Sequence, residues 1–97
     1  MIVAGTPGRS SLTSLLNSYT TLGVDVAYTE TDVRFESLPP SSSAIAQQAN
    51  DWVNIVLSCF DVARCVGLTI WDYTDKYSWI PSVYPGQGDA LLWDKVV

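Results

Sequence analysis

A chain of 97 residues, 47% of them hydrophobic, can build the core of one domain and not of two. Ten Asp and Glu against five Lys and Arg give a net charge of −5 with no basic cluster, which excludes binding driven by attraction to nucleic acid or to an anionic membrane. Histidine is absent, so the segment alone offers no imidazole base and no zinc site of the usual kind.

Met1 to Ala4 reads as the end of an apolar strand, followed by the turn-forming run Gly5-Thr-Pro-Gly8. Leu12, Leu15, Leu16, Tyr19 and Leu22 recur at the spacing of one helical face. This predicts a helix over about Ser10 to Leu22, capped by Ser10 or Ser11 and closed at Gly23. Val24 to Thr29 is β-branched and aromatic with alternating polarity, and reads as a strand running into Glu30, Thr31 and Asp32. Arg34 to Ser43, with Pro39, Pro40 and three consecutive serines, has loop composition and ends in a ready helix cap. In the second helix Ile45, Ala49, Trp52, Val53, Val56, Phe60 and Ala63 form an apolar stripe, with Gln47, Asn50, Asp51, Asn54 and Asp61 largely opposite. Cys65 to Ile70 is a short apolar run, read as a buried strand. From Trp71 to Trp93 the pattern gives way to an aromatic-rich stretch with Pro and Gly.

The order strand, helix, strand, helix, strand predicts an α/β fold with parallel neighbours and right-handed crossovers. Three strands and two crossover helices neither close a barrel nor complete a doubly wound sheet, which take about 150 to 250 residues. Residues 1–97 therefore read as a piece of something larger, with open edges where self-association is expected. No apolar run approaches the roughly 20 residues that span a bilayer, and the start lacks the charged-then-apolar pattern of a secretory leader.

In parallel α/β folds ligands lie beyond the carboxyl ends of the strands. Glu30 ends the second strand, and Trp71 with Asp72 ends the third. On a regular pleat Glu30 shares a face with Val26 and Tyr28, and Trp71 with Thr69 and Gly67. Glu30 is one of only two Glu in the chain; a strand-end carboxylate of this kind is either a partly desolvated functional group or a turn cap or partner for Arg34. Trp71, Tyr73, Tyr77, Trp79 and Tyr84, interleaved with Asp72, Asp75 and Lys76, suit sugar rings, whose faces are apolar and whose edges are hydroxyls. The alternative is that some of these rings only pack the loop onto the body. The run Gly5 to Ser10 could cradle phosphate at a helix start, but it lacks the spacing of either nucleotide-binding glycine motif and the P-loop Lys, so an ordinary turn is the simpler reading. Cys59 and Cys65 lie six positions apart, beyond bridging distance within one continuous helix but bridgeable if the helix ends near Ala63; two free buried thiols are the alternative.

The runs Val24 to Asp32 and Cys59 through Pro81, together with Ile2 to Ser11 and Gly86 to Asp94, resemble the C-terminal part of a fungal glycoside hydrolase family 10 endo-β-1,4-xylanase. The resemblance covers nearly the whole chain. It implies a partial (β/α)8 TIM barrel over about strands six to eight with two crossover helices, so that 1–97 is the C-terminal part of that catalytic domain. It implies retaining hydrolysis of internal bonds in xylan, with Glu30 as nucleophile and Asp32, matching the acidic residue two positions on, as a substrate-binding residue beside Trp71 and Trp79. Trp71 and Trp79, eight apart, would wall the subsites beside the cleaved bond, and Cys59 and Cys65 match a disulfide common in the fungal enzymes. Xylan or a xylo-oligosaccharide is the implied partner, an extracellular location the implied setting, and neither cofactor nor metal is implied. The family takes its acid/base Glu from the end of strand four and a nucleophile-bonding His from strand six, neither of which matches a residue here. Glu36 does not resemble the acid/base motif, so the isolated chain is expected to be inactive. Thr31 departs from the more usual Leu at that place in the signature. The competing reading is a non-catalytic carbohydrate-binding module using the Trp71 to Tyr84 loop.

Overall fold

The computed structural model describes residues 2–5 and 7–94. Met1 of the expected first strand, Thr6 of the expected turn, and Lys95, Val96 and Val97 lie outside the described residues. The elements are β1 (Ile2–Val3), α1 (Arg9–Thr20), β2 (Val26–Thr31), β3 (Val33–Arg34), α2 (Ser42–Phe60), β4 (Cys65–Ile70) and a four-residue α3 (Ile80–Val83), with a one-turn 3-10 helix at Asp75–Tyr77 before α3. The expected order of strands and crossover helices is present. The second strand, however, lies two residues further along than its alternating pattern indicated.

β2 pairs in parallel with β4, from Val26 opposite Cys65 to Thr31 opposite Ile70. β3 pairs in parallel with β1, Ile2 opposite Val33 and Val3 opposite Arg34. Residues 26–34 thus form one extended run that changes partner at Asp32, whose carbonyl accepts the Ile2 N–H at 2.9 Å. The strand begins two residues later than expected because its partner begins at Cys65: Val24 and Asp25 have nothing to pair with, and Arg64 instead holds Asp25 Oδ1 at 2.8 Å and the Gly23 carbonyl at 3.0 Å.

Leu12 and Leu16, one turn apart on α1, are buried. Leu15, Tyr19 and Leu22, assigned to the same face by their spacing, are exposed and make a second stripe with no cover. The helix starts at Arg9, earlier than a serine cap would place it, because extended Gly8 occupies the cap position and its carbonyl accepts the Leu12 N–H at 3.1 Å. α2 starts as its serines predict: Ser41 Oγ accepts the Ala44 N–H at 3.1 Å.

The buried face of α2 is not the expected stripe. Asp51, Ile55 and Ser58 are buried, whereas Ile45, Val53, Val56 and Phe60 are exposed, Phe60 by 83%. Asp51 and Ser58 are tolerated on the inner face because each has a partner. Asp51 accepts from the Gly5 N–H at 2.7 Å and from Gln47 Nε2 at 3.0 Å. Ser58 Oγ lies 2.9 Å from the Tyr28 hydroxyl and donates to the Ile55 carbonyl at 2.7 Å. Leu12, Val33 and Ile55 form the core cluster, with Ile2, Ala4, Tyr28, Trp52 and Leu68 packed against it. Cys59 and Cys65 are joined by a disulfide at a Cα separation of 5.3 Å, tying the last turn of α2 to the first residue of β4.

The C-terminal stretch is held by hydrogen bonds from distant elements. Phe35 bridges antiparallel to Gly88, and Gln48 Nε2 donates to the carbonyls of Val33 at 2.8 Å and Asp89 at 2.7 Å. Buried Asp75 accepts the Leu91 N–H through Oδ1 at 3.0 Å.

Candidate active site

Because β2 and β4 run parallel and end opposite each other, Glu30 and Trp71 lie at the same edge of the sheet. The Trp71 N–H donates to the Thr31 carbonyl at 3.1 Å, which fixes the indole-bearing residue one step from the glutamate. Tyr28 faces α2 through its hydroxyl, and Val33 lies in the core with Ile55. These residues are an odd number of positions apart, so a regular pleat would put them on opposite faces. The pairing with β4 shifts register between Tyr28 and Thr31, and that irregularity reverses the alternation. Glu30 lies inside this irregular stretch and is exposed, whereas Thr31, Asp32 and Val33 after it are buried. The regular alternation from which a shared face with Val26 and Tyr28 was expected is interrupted between Tyr28 and Thr31.

Glu30 is exposed, and among the described residues its carboxylate neither caps a turn nor pairs with Arg34. The Arg34 guanidinium is engaged elsewhere: it donates to Gln87 Oε1 and lies over the Tyr84 ring, 4.6 Å from the centroid. Gly67, expected to share a face with Trp71, has open space where a Cβ would project.

Asp32 is only 3% exposed. It accepts from the indole Nε1 of Trp79 through Oδ2 at 3.3 Å. Burial raises its pKa above the usual carboxylate value and the nearby Glu30 adds to this, while the Trp79 hydrogen bond and the Arg34 charge oppose it. Trp79 meets Tyr84 edge to face, centroids 6.2 Å apart and planes at 65°. Trp71 and Trp79 keep 44% and 37% of their surface exposed, enough to offer a ring face.

Arg34, Tyr84 and Gln87 are the members of this cluster that the residue pattern did not single out together; alternation of Asp32 with Arg34 along one strand was the available signal. At the other candidate loop, the Gly5 N–H is taken by Asp51 and Arg9 Nη2 by Asp61 at 2.6 Å, as in an ordinary structural turn.

Parallel strands joined by helices, with a carboxylate and two indoles gathered at the carboxyl ends, define part of a barrel-type α/β enzyme scaffold. The glycosyl hydrolase family 10 model matches residues 2–97, and the chain belongs to that family. It is 54% identical over 95 residues to endo-1,4-beta-xylanase 1 of Humicola insolens and 52% identical over 94 residues to endo-1,4-beta-xylanase 5 of Pyricularia oryzae, covering 98% and 97% of this chain. It spans 22% and 23% of the length of those two relatives. Among solved structures it superposes on a family 10 xylanase from Bispora sp. MEY-1, determined with xylobiose, with a TM-score of 0.92 at 42% identity, covering 97% of this chain and 28% of that one. The Penicillium canescens endo-1,4-beta-xylanase XylE gives 0.92 at 39% identity, covering 98% and 29%. Family and neighbours together imply the TIM-barrel architecture.

Proposed function

We propose that these 97 residues are the strand-six to strand-eight arc of a retaining endo-1,4-β-xylanase catalytic domain, β1, the β2–β3 run and β4 being those three strands. Glu30 is the nucleophile. Its carboxylate attacks the anomeric carbon of a xylosyl unit, breaking the glycosidic C–O bond and releasing the rest of the chain through that oxygen, to give a glycosyl ester that water then cleaves. Trp71 and Trp79 wall the sugar rings beside the cleaved bond, and Asp32 acts from behind by accepting the Trp79 N–H. The reading rests on one observation above others: an exposed carboxylate stands at the strand end, one position before the residue whose carbonyl accepts the Trp71 N–H.

A retaining mechanism needs a second carboxyl about 5 to 5.5 Å from the first, to protonate the leaving oxygen and later deprotonate water. Glu36 lies six residues along a largely extended chain, on the order of 20 Å away. Asp32 is buried and bonded to Trp79. The acid/base group therefore comes from outside these 97 residues, and the isolated chain does not hydrolyse xylan. The partner is xylan or a xylo-oligosaccharide, as with the similar proteins named above. The setting is extracellular, where a disulfide such as Cys59–Cys65 persists.

A dinitrophenyl 2-deoxy-2-fluoro-β-xylobioside tests the assignment, because its leaving group departs without an acid. The expected result is slow ester formation on Glu30, lost in Glu30→Gln, with no reducing sugar released from xylan by the unmodified chain. Ester on another carboxylate removes Glu30 as nucleophile. Release of sugar that disappears in Glu30→Ala overturns the inactivity of the isolated chain. Xylotriose binding that falls in Trp79→Ala, with no ester formed, favours a non-catalytic binding role for the aromatic loop.

A further inference from the structure

Asp32 and Arg34 stand two residues apart on one face of the β2–β3 run, a spacing of about 6.5 Å along a strand. The helix α3 is a single turn, bounded by Trp79 at its start and Tyr84 at its end. Its four residues rise about 6 Å, so its two ends match the two strand positions in span. Each end is attached to one of them: Trp79 Nε1 to Asp32 Oδ2 at 3.3 Å, and the Tyr84 ring beneath the Arg34 guanidinium at 4.6 Å. Arg34 also donates to Gln87 Oε1, and the Gln87 N–H returns to the Tyr84 carbonyl at 3.1 Å, closing the turn on the same cation. Tyr84 then meets Trp79 edge to face at 6.2 Å. A helix of one turn has little stability of its own, so the orientation of Trp79 depends on these side-chain attachments.

We infer that Arg34 and Tyr84 are positioning residues for Trp79: the guanidinium clamps the Tyr84 ring and the following turn, and that ring's contact with the indole keeps Trp79 over Asp32. The inference rests on the reading of Trp79 as a sugar-contacting wall for its functional meaning, and on the distances above for its geometry. Removing either positioning residue leaves the indole hydrogen-bonded at one point and free to rotate about it. Sugar affinity falls without any lost sugar contact, by about three- to ten-fold for a lost cation–π or ring contact.

The test uses the 97-residue chain labelled with 5-fluorotryptophan, whose four fluorine signals report the four Trp separately, with xylotriose as the probe. In Tyr84→Leu and Arg34→Met the Trp79 signal is expected to shift or broaden while the Trp71 signal stays, and xylotriose affinity is expected to drop three- to ten-fold. Tyr84→Phe keeps the ring and is expected to restore both values. Arg34→Lys keeps the charge but not the planar clamp, so it falls between; it carries the test if Tyr84→Leu fails to fold. An unmoved Trp79 signal in folded Arg34→Met and Arg34→Lys overturns the positioning role even where xylotriose still binds. A parent chain that binds no xylotriose, but whose Trp79 signal moves in these variants, upholds the positioning role and removes the carbohydrate reading instead.

Discussion

The carboxylate of Asp51, near the middle of α2, accepts the backbone N–H of Gly5 at 2.7 Å across 46 positions of sequence. Gly5 adopts a positive φ of 95°, a conformation costly for other residues, and the hydrogen bond holds the turn between β1 and α1 against the helix. Asp51→Ala removes the acceptor from this amide and from Gln47 Nε2 together. A loss of about 1 to 3 kcal/mol in denaturant unfolding is expected, with Asp51→Asn losing less because its amide oxygen still accepts.

Ile55 is 1% exposed and belongs with Leu12 and Val33 to the core cluster. Ile55→Ala is expected to cost about 2 to 5 kcal/mol, enough to unfold so small a chain at room temperature. Glu30→Gln, at an exposed position without a protein partner among the described residues, is expected to stay within about 0.5 kcal/mol of the parent. Parallel unfolding curves for the two variants check the contrast.

The raised pKa of Asp32 has a definite sign in stability. A carboxyl that binds its proton more tightly when folded than when unfolded makes the folded state relatively less stable as pH rises through its elevated pKa. That penalty is fully present above the elevated value and is relieved as pH falls below it towards the ordinary carboxylate range. Asp32→Asn keeps an acceptor for the Trp79 indole and removes the titration. Its stability relative to the parent is expected to be greatest near neutrality and to narrow on acidification, in unfolding measured from pH 4 to 8.

The Cys59–Cys65 bridge closes a short loop, with a sequence separation of 6. Loop-closure entropy for so short a segment gives about 2 kcal/mol. Reduction, or the double Cys59→Ser, Cys65→Ser change, is expected to lower stability by that order. The effect should be largest at the junction of α2 and β4, as read by amide exchange of Val66 and Gly67.

Phe60 and Val66 stand exposed beside the disulfide, around an open apolar hollow of about 450 Å³ shared with Val56, Val62 and Leu68. Concentration-dependent association and binding of a hydrophobic dye are expected of such a surface. Phe60→Lys with Val66→Lys is expected to reduce both without loss of secondary structure, as followed by sedimentation and circular dichroism.

Much of the scaffold was legible from residue pattern. Ser41 caps the long helix as a serine run should, alternation located β2 to within two residues, and the short apolar run from Cys65 to Ile70 located β4. The inner face of α2 was not legible, because most of it is made of polar groups whose partners lie far off in sequence: buried Asp51 with Gly5, buried Ser58 with Tyr28, and half-buried Gln48 with Asp89. Hydropathy instead picked out Val53, Val56 and Phe60, which lie uncovered. At the candidate site Glu30 and Trp71 were visible as strand ends. The Arg34–Tyr84 contact was hidden, since it depends on a turn closing fifty positions downstream.

The register irregularity between Tyr28 and Thr31 gives this segment an unusual sensitivity to length. Removing one residue there would leave composition, hydropathy and every acidic side chain almost intact, yet would take out one of the two irregularities of the β2–β4 pair and leave the other, between Val26 and Ala27, unmatched. Homologous strands should accordingly tolerate exchanges of side chain here far more readily than a single-codon gap.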